Sequence, residues 1–126
     1  MDFDLNDEQR ELRDTARRFL EREAPISYAR AMIDDARGYR DDVWKQMAEL
    51  GWMALAVPEE HEGLGLGIIA QTIVLIEMGR VVLPGPYLSS AVLGAHAVIE
   101  AGSREQRAQL LPPIASGDVV ATLASG

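Results

Sequence analysis

The stretch formed by residues 68–83 is apolar around the whole circumference of a helix. Its sequence is IIAQTIVLIEMGRVVL, in which only Gln71, Thr72, Glu77 and Arg80 are strongly or partly polar. A surface helix has one apolar stripe, whereas a helix that is apolar on every side is a buried one. The stretch is too short and too charged to span a bilayer. The pattern therefore predicts a buried central helix over residues 68–83, surrounded by the other helices of a bundle.

Residues 6–23 have the pattern of an amphipathic helix. Asn6 and Gln9 have the spacing of a capping box, in which each side chain accepts a hydrogen bond from the backbone of the other residue. The apolar residues that share one face are Leu12, Ala16, Phe19 and Leu20. The opposite face is charged and is predicted to lie in solvent, with ion pairs one turn apart: Arg10–Asp14, Asp14–Arg18 and Arg17–Glu21.

Two more helices are predicted before the apolar stretch. A short one contains Tyr28, Met32 and Ile33, and a loop follows over residues 34–40. The second is capped by Asp41 or Asp42 and ends at Gly51. Its inner face is predicted to consist of Val43, Trp44, Met47 and Leu50.

Two helices are predicted after the apolar stretch. The first covers residues 87–101 and is rich in small residues, which permit either tight packing or space for a ligand. Packing is the favoured interpretation. The second helix is capped by Ser103, with Gln106 at the capping-box position, and it is predicted to stop at Pro112-Pro113.

The segment PEEHEGLGLG raises the possibility of an anion or metal site before the apolar helix. Helix N-termini bind phosphate, but no lysine follows at the spacing of a P-loop, and the acidic residues of the segment would repel phosphate. No spacing typical of a calcium loop is present either. The sequence instead predicts that Gly63, Gly65 and Gly67 form tight turns in a solvated loop, and it assigns no metal ligand.

Three other features are interpreted from their sequence context. Gly79 inside the apolar helix suggests that another backbone approaches closely. His96 has only Glu100 nearby at helical spacing and is interpreted as a partly exposed helix residue. The segment after residue 117 contains VVATLA, which reads as a β-strand without a sheet to join. This ending predicts a chain cut at the start of a second, β domain.

Composition limits the class of protein. The chain has 126 residues, a formal net charge of −8 and no cysteine. One domain is expected from the length. The acidic balance argues against nucleic acid or an anionic membrane as partner. The absence of cysteine excludes disulfides, thiolate metal sites and a cysteine nucleophile. The N-terminus MDFDLNDEQR has no apolar segment of the kind found in signal peptides, so a cytoplasmic location is expected.

Four stretches together resemble the N-terminal helical domain of the acyl-CoA dehydrogenases. They are FDLNDEQRELRDTARRFLEREAP, WKQMAELGWMALAVPEEHEGLGLG, EMGR and QLLPPIASGDVVATLA, which occur in the family's order and cover nearly the whole chain. Glu62 departs from the commoner Pro-Glu-x-x-Gly-Gly-x-Gly form, which should alter one turn. The stretch EMGRVVLPGPYLSSAVLGAHAVIEAG is most similar to subunits of heteromeric bacterial members, including those that act on sterol-derived thioesters.

The resemblance implies an all-α fold of about five to six helices around the central helix. Residues 1–117 would form the helical domain, and residues 118–126 would be the first strand of a middle β domain. The full-length family members are oxidoreductases of lipid metabolism that hold FAD between the middle and C-terminal domains. A C-terminal glutamate removes the α-proton of an acyl-CoA, and a hydride passes to the flavin, which gives a 2,3-enoyl-CoA.

The resemblance also locates the residues that could touch a ligand. Residues of helix 87–101 that would line the acyl-chain tunnel are Leu88, Ala91, Val92 and Ala95. Residues that would lie near the flavin are Leu123, Ala124 and Ser125. No residue is assigned a catalytic role, because the catalytic glutamate would lie beyond this chain. Glu77 is expected to pair with Arg80 or with another segment.

Two alternatives remain beside a dehydrogenase fragment. The first is a helical interaction module without chemistry, and the second is a piece of a related flavin monooxygenase or nitroalkane-oxidising protein. The fragment by itself should bind no FAD and have no turnover. An apolar patch is expected on the face made by residues 87–101 and 119–124, and it predicts a homo-oligomer or hetero-oligomer.

Overall fold

The computed structural model describes residues 5–122, which fold as helices joined by turns. The helices are α1 (Asp7–Glu23), α2 (Ile26–Met32), α3 (Asp41–Glu49), α4 (Gly67–Arg80), a π-helix (Leu88–Gly94) that continues directly into α5 (Ala95–Ala101), and α6 (Arg104–Ser116). Two single 3₁₀ turns, Trp52–Ala54 and Glu59–His61, lie between α3 and α4. No strand occurs within residues 5–122. The prediction of an all-α fold with about five to six helices is confirmed for this part of the chain.

The core consists of two clusters of buried side chains. The larger one joins α1, α3, the first 3₁₀ turn and α4, and within it the rings of Phe19 and Trp52 meet edge to face with their centroids 5.3 Å apart. The smaller cluster joins α5, α6 and the segment around Ala54 and Val57. The indole N–H of Trp44 donates to the carbonyl of Gly117 at 2.9 Å and so connects α3 to the end of α6.

The start and inner face of α1 agree with the sequence pattern. The amide of Gln9 donates to Asn6 Oδ1 at 2.8 Å, and the amide of Asn6 donates to Gln9 Oε1 at 3.0 Å, which completes the capping box. The predicted ion pairs one turn apart are wrong. Among the described residues, Arg10 instead pairs with Asp7 at 3.5 Å, and Arg17 reaches across to Glu77 on α4. A buried carboxylate binds a guanidinium more strongly than a solvated one does, which explains this choice of partner.

The prediction that residues 68–83 form a helix buried on every side is wrong. The helix begins at Gly67 and ends at Arg80, and its buried residues all lie toward the core: Ala70, Gln71, Ile73, Val74, Glu77 and Met78. On the outer side, Ile68 and Ile69 are 55% and 59% exposed. The described residues cover α4 on one side only, chiefly with α1, so an all-round apolar sequence is only half buried.

Residues 81–83 leave the helix and form a turn. Val82 has a φ of 53°, and the amide of Leu83 donates to the carbonyl of Met78 at 3.0 Å. The suggestion that Gly79 marks a close backbone approach is wrong within residues 5–122, because a Cβ atom built there would meet no atom of these residues within 4 Å.

Helices α2 and α3 match their predicted positions, with one difference at a cap. Arg40, and neither Asp41 nor Asp42, precedes the first turn of α3. The two carboxylates are already engaged, since Asp41 pairs with Arg37 and Asp42 with Arg40, each at 2.6 Å. The predicted inner face is buried except for Leu50, which is exposed at the C-terminal end.

The predicted stop at Pro112-Pro113 is wrong, because α6 continues through both prolines to Ser116. Leu111, Ile114 and Ala115 are buried in the smaller cluster. Their burial offsets the backbone bonds that the prolines cannot make. The capping box predicted at the start of this helix is present: the Gln106 amide donates to Ser103 Oγ at 3.1 Å.

The loop before α4 contains the tight turns that its glycines predict. Gly65 and Gly67 have φ values of 62° and 83°, a conformation that glycine adopts without strain. A Cβ atom at Gly63 would lie only 1.9 Å from the carbonyl oxygen of Val57. Glu62, at the position where the commoner family sequence has glycine, has a φ of 69°.

The segment after α6 does not form the predicted strand where the structure describes it. Gly117, with a φ of 82°, ends α6, and residues 118–122 are irregular. The amide of Ala121 donates to Ser90 Oγ at 2.9 Å, so the segment lies against the π-helix and not along another strand. The rest of the predicted strand lies outside the described residues.

Candidate functional site

The helix predicted over residues 87–101 begins with a π-helix, Leu88–Gly94. In this conformation each amide bonds to the carbonyl five residues earlier, so the helix is wider than an α-helix. Such segments are rare, usually no more than one turn, and frequently occur at functional sites. The π-helix is therefore the strongest candidate for a binding surface among the described residues.

Three hydrogen bonds from other parts of the fold attach the π-helix to the core. The hydroxyl of Tyr87 donates to the carbonyl of Trp52 at 2.7 Å. The side-chain amide of Gln71 donates to the carbonyl of Ala91 at 3.0 Å. The third is the bond from the Ala121 amide to the hydroxyl of Ser90. The side chains of Tyr87, Gln71 and Ser90 are all buried, so water does not compete for these bonds.

His96 belongs to the same hydrogen-bond network. Its Nε2 lies 2.9 Å from Gln71 Oε1. The prediction of a partly exposed helix histidine is right about burial but missed this partner, because Gln71 is 25 residues away in the sequence. The signal that could have found it is a glutamine in a mostly apolar stretch, since a buried amide requires partners.

The four predicted acyl-contact residues occupy two different environments. Leu88 is 55% exposed, and Val92 is partly buried at the edge of the larger cluster. Ala91 and Ala95 are fully buried and face the core. Leu88 and Val92 thus present the apolar surface of the π-helix, while the two alanines determine how closely the helix approaches the core. Leu123, Ala124 and Ser125 lie outside the described residues.

Two apolar cavities flank the π-helix. One, of about 280 Å³, lies between the end of α4 and the start of the π-helix and is lined by Leu75, Met78, Val82, Leu83, Tyr87 and Leu88. The other, of about 440 Å³, lies at the opposite end, between α5, α6 and the final segment, where Val98, Leu110, Val119 and Ala121 line it. Surfaces of this kind accept an aliphatic chain more readily than a charged group.

Glu77 is the only buried carboxylate among the described residues, and it is fully paired. Arg17 Nε and Nη2 donate to its two oxygens at 2.8 and 3.1 Å, and Arg80 lies 3.7 Å away. The predicted pairing of Glu77 is therefore confirmed for both alternatives, Arg80 and another segment. Hydrogen bonding and charge from Glu77 raise the pKa of Arg17. A carboxylate held in this way is poorly placed to act as a base.

The described residues give no independent sign of metal or membrane chemistry. Residues 5–122 bring no three histidine or acidic side chains together around a common point. None of the helices in this part of the chain combines the length and apolar character needed to cross a bilayer.

Comparison with known proteins relates this architecture to one family. Residues 6–118 match the family model described as acyl-CoA dehydrogenase, N-terminal domain. The short-chain specific acyl-CoA dehydrogenase of Sus scrofa mitochondria is 37% identical over 116 residues, which cover 90% of this chain and 27% of that protein. Benzylmalonyl-CoA dehydrogenase of Aromatoleum aromaticum is 32% identical, with coverage of 98% and 33%.

Solved structures agree with the sequence comparison. A variant of the Tcur3481–Tcur3483 steroid ACAD superposes with a TM-score of 0.82 at 34% identity. The superposition covers 91% of this chain and 31% of the chain in that structure. The ChsE4–ChsE5 complex of Mycobacterium tuberculosis gives a TM-score of 0.85 at 26% identity, with coverage of 97% and 34%. The chain thus spans between 27% and 34% of the length of these proteins. On this evidence the chain belongs to the acyl-CoA dehydrogenase family and corresponds to its N-terminal domain.

Proposed function

We propose that this chain is the N-terminal domain of a flavin-dependent acyl-CoA dehydrogenase that introduces an α,β double bond into an acyl-CoA thioester. In this proposal the domain supplies one wall of the acyl-chain site. Leu88 and Val92 contact the chain, and Ala91 and Ala95 hold the helix at the right depth beneath them. The observation that carries the proposal is the pair of apolar cavities beside a tethered π-helix, in a chain of this family.

The chemistry itself would come from outside the described residues. In the family, FAD accepts the hydride and a carboxylate removes the α-proton, and Glu77 is unsuited to that role because Arg17 neutralises it. The two cavities beside the π-helix do not fit FAD. Neither cavity beside the π-helix is lined by a cationic side chain that could face a pyrophosphate. The proposed FAD contacts of this chain are Leu123, Ala124 and Ser125, as the family resemblance implies, and they lie outside the described residues.

The exposed apolar side chains support assembly with other subunits or domains. Leu88, Leu93, Val119 and Val120 are all exposed in the vicinity of the π-helix and the final segment. Exposed large apolar side chains favour association. Two of the similar structures carry names of two-component assemblies, Tcur3481–Tcur3483 and ChsE4–ChsE5. We infer that this chain functions in a homo-oligomer or hetero-oligomer. A monomeric mass in light scattering at micromolar concentration would contradict this inference.

The acyl-chain role is tested by narrowing the proposed wall. The protein would be produced with whatever domains or subunits complete the enzyme, and turnover of acyl-CoA thioesters of increasing length would be measured with an artificial electron acceptor. Leu88→Trp is expected to raise KM severalfold for long acyl chains and to leave short ones unchanged. Ile33→Trp is the matched control, because Ile33 is equally apolar, even more exposed and directly follows α2, away from the π-helix in the sequence.

The outcomes separate the competing functions. An unchanged chain-length profile in Leu88→Trp would exclude the acyl-wall role. No turnover of any acyl-CoA by the assembled wild-type protein would favour an interaction module without chemistry. Oxidation of nitroalkanes, or oxygenation, by the same assembly would favour a related flavoprotein. Addition of FAD to the isolated chain should give no shifted flavin absorbance band, because the family holds FAD between its middle and C-terminal domains.

A further inference from the structure

A gap in the backbone hydrogen bonding occurs where the π-helix passes into α5. The amide of Ala95 donates to the carbonyls of Ser90 and Val92. In an α-helix it would donate to the carbonyl of Ala91, which lies between them. That carbonyl accepts instead from Gln71 Nε2 at 3.0 Å. A side chain from α4 thus takes the place of the helix's own backbone donor.

The orientation of the Gln71 amide follows from its two partners. A backbone carbonyl can only accept, so the NH₂ group of Gln71 must face Ala91. The amide oxygen then faces His96 Nε2 at 2.9 Å, and because this oxygen is also only an acceptor, His96 must carry a proton on Nε2. The neutral ring therefore leaves Nδ1 unprotonated. The chain Ala91–Gln71–His96 has one consistent arrangement of donors and acceptors.

Burial makes this arrangement costly to disturb. Gln71 is fully buried, and the only other polar side chain on the inner side of its helix is Glu77, which pairs with Arg17. A buried amide that loses a partner keeps its desolvation cost, so both ends of the Gln71 side chain must stay bonded. Ala91 is buried as well, and Leu88 and Val92 stand on the same π-helix on either side of it.

We propose that Gln71 is a positioning residue that, oriented by His96, holds the π-helix open at Ala91 and thereby sets the place of Leu88 and Val92. The position of the acyl-chain wall, Leu88 and Val92, is then determined by Gln71, a buried side chain that does not belong to the wall. This inference rests on the proposed function for its consequence in catalysis, while the hydrogen-bond arrangement stands independently of it.

The arrangement is tested in the 126-residue chain by long-range ¹H–¹⁵N correlation spectra of the histidine rings. The chain has two histidines, so a His61→Gln variant assigns the signals. His96 is expected in the Nε2–H form. Gln71→Met, which keeps the length but removes both hydrogen bonds, should abolish that preference and shift the methyl signals of Val92 and Leu88. Thr72→Met, at the neighbouring and only partly buried position, is the control and should change neither.

A second variant covers the case in which Gln71→Met does not fold. His96→Ala removes only the orienting partner, and it should still shift the Val92 methyl signals. An Nδ1–H form of His96 in the wild type, or unchanged Val92 methyl signals in whichever of these variants folds, would overturn the positioning role.

The consequence for catalysis is read in the assembled enzyme. Gln71→Met should change KM for the acyl-CoA more than it changes kcat. Thr72→Met should change neither constant. A loss of kcat at unchanged KM would contradict the positioning role. Absence of acyl-CoA turnover in the wild type would instead contradict the proposed function, and the histidine spectra would still decide the hydrogen-bond arrangement.

Discussion

Arg17 on α1 and Glu77 on α4 form a bidentate ion pair across the fold. Arg17 Nε donates to Oε1 at 2.8 Å and Nη2 donates to Oε2 at 3.1 Å. The environments of the two groups differ sharply, since the side chain of Glu77 is 4% exposed and that of Arg17 is 38% exposed. The pair joins α1 to α4, which is the most extensive helix–helix contact among the described residues.

This asymmetry predicts unequal costs for the two halves of the pair. Arg17→Met leaves a buried carboxylate whose remaining cation, Arg80, is 3.7 Å away, and should cost about 2 kcal/mol of unfolding free energy in urea titrations. Glu77→Leu leaves a guanidinium that reaches solvent, so its cost should be smaller, at about 1 kcal/mol or less.

The double variant Arg17→Met with Glu77→Leu completes the test. Because it leaves no buried charge without a partner, it should be more stable than Arg17→Met alone. Costs that are equal for the two single variants, or that simply add in the double variant, would show that burial of Glu77 does not dominate the pair.

The sequence predicted those parts of the fold that depend on neighbouring residues. Both capping boxes and the inner face of α1 were predictable, because a capping side chain and its amide partner are three residues apart. The partner of Arg17 was not, because Asp14 and Glu21 lie at helical spacing and only the tertiary structure brings the buried Glu77 closer. The continuation of α6 through Pro112 was also not predictable, because it depends on the burial of Leu111, Ile114 and Ala115 in the folded chain.

The form of the candidate site could not be predicted from the sequence, and its role in binding stays a prediction. The resemblance pointed to the helix that contains Leu88 and Val92, and the structure places a distinctive segment there. Its π-helical geometry depends on three hydrogen bonds between distant parts of the chain. They join Gln71 to Ala91, Tyr87 to Trp52, and Ala121 to Ser90. No local pattern contains these contacts, so small residues alone could not distinguish an α-helix from a π-helix.

Opposite effects are expected from glycine exchanges at two adjacent loop positions. Glu62 has a left-handed backbone, which costs a non-glycine residue roughly 1 kcal/mol, so Glu62→Gly should raise the unfolding free energy by up to about that amount. Gly63→Ala should lower it by about 3 kcal/mol or more, because the new Cβ atom would overlap the carbonyl of Val57. Thermal and urea unfolding of both variants measure these changes. A stabilised Gly63→Ala variant would mean that the turn differs from the structure.

Alkaline pH should weaken the fold through Tyr87. Burial raises the pKa of Tyr87 above its ordinary value. The unfolded chain therefore loses this proton near pH 10 while the folded chain retains it, so stability is present below about pH 10 and falls above it, by at most about 1.4 kcal/mol per pH unit. Tyr87→Phe should make this fall shallower.

Tyr87→Phe has a separate effect near neutral pH. It removes the hydroxyl that donates to the carbonyl of Trp52, which should cost about 1 kcal/mol. Burial also raises the pKa of Tyr28, so some alkaline loss should persist in Tyr87→Phe. Unfolding free energies measured across the alkaline range test both statements, and a curve parallel to that of the wild type would refute the role of Tyr87.

The contact between the π-helix and the final segment depends on a glycine. A Cβ atom at Gly94 would lie 2.8 Å from the Cβ of Ala121 and 3.0 Å from the carbonyl of Ser89. Gly94→Ala should therefore displace residues 119–122, break the bond from the Ala121 amide to Ser90 and cost about 1–3 kcal/mol. Hydrogen exchange of the Ala121 amide should accelerate more than that of amides in α1. Gly79→Ala, whose new Cβ atom would meet none of the other described residues within 4 Å, should leave that exchange unchanged and stabilise α4 by about 0.5–1 kcal/mol. If the Ala121 amide exchanges equally in the two variants, Gly94 does not secure this segment.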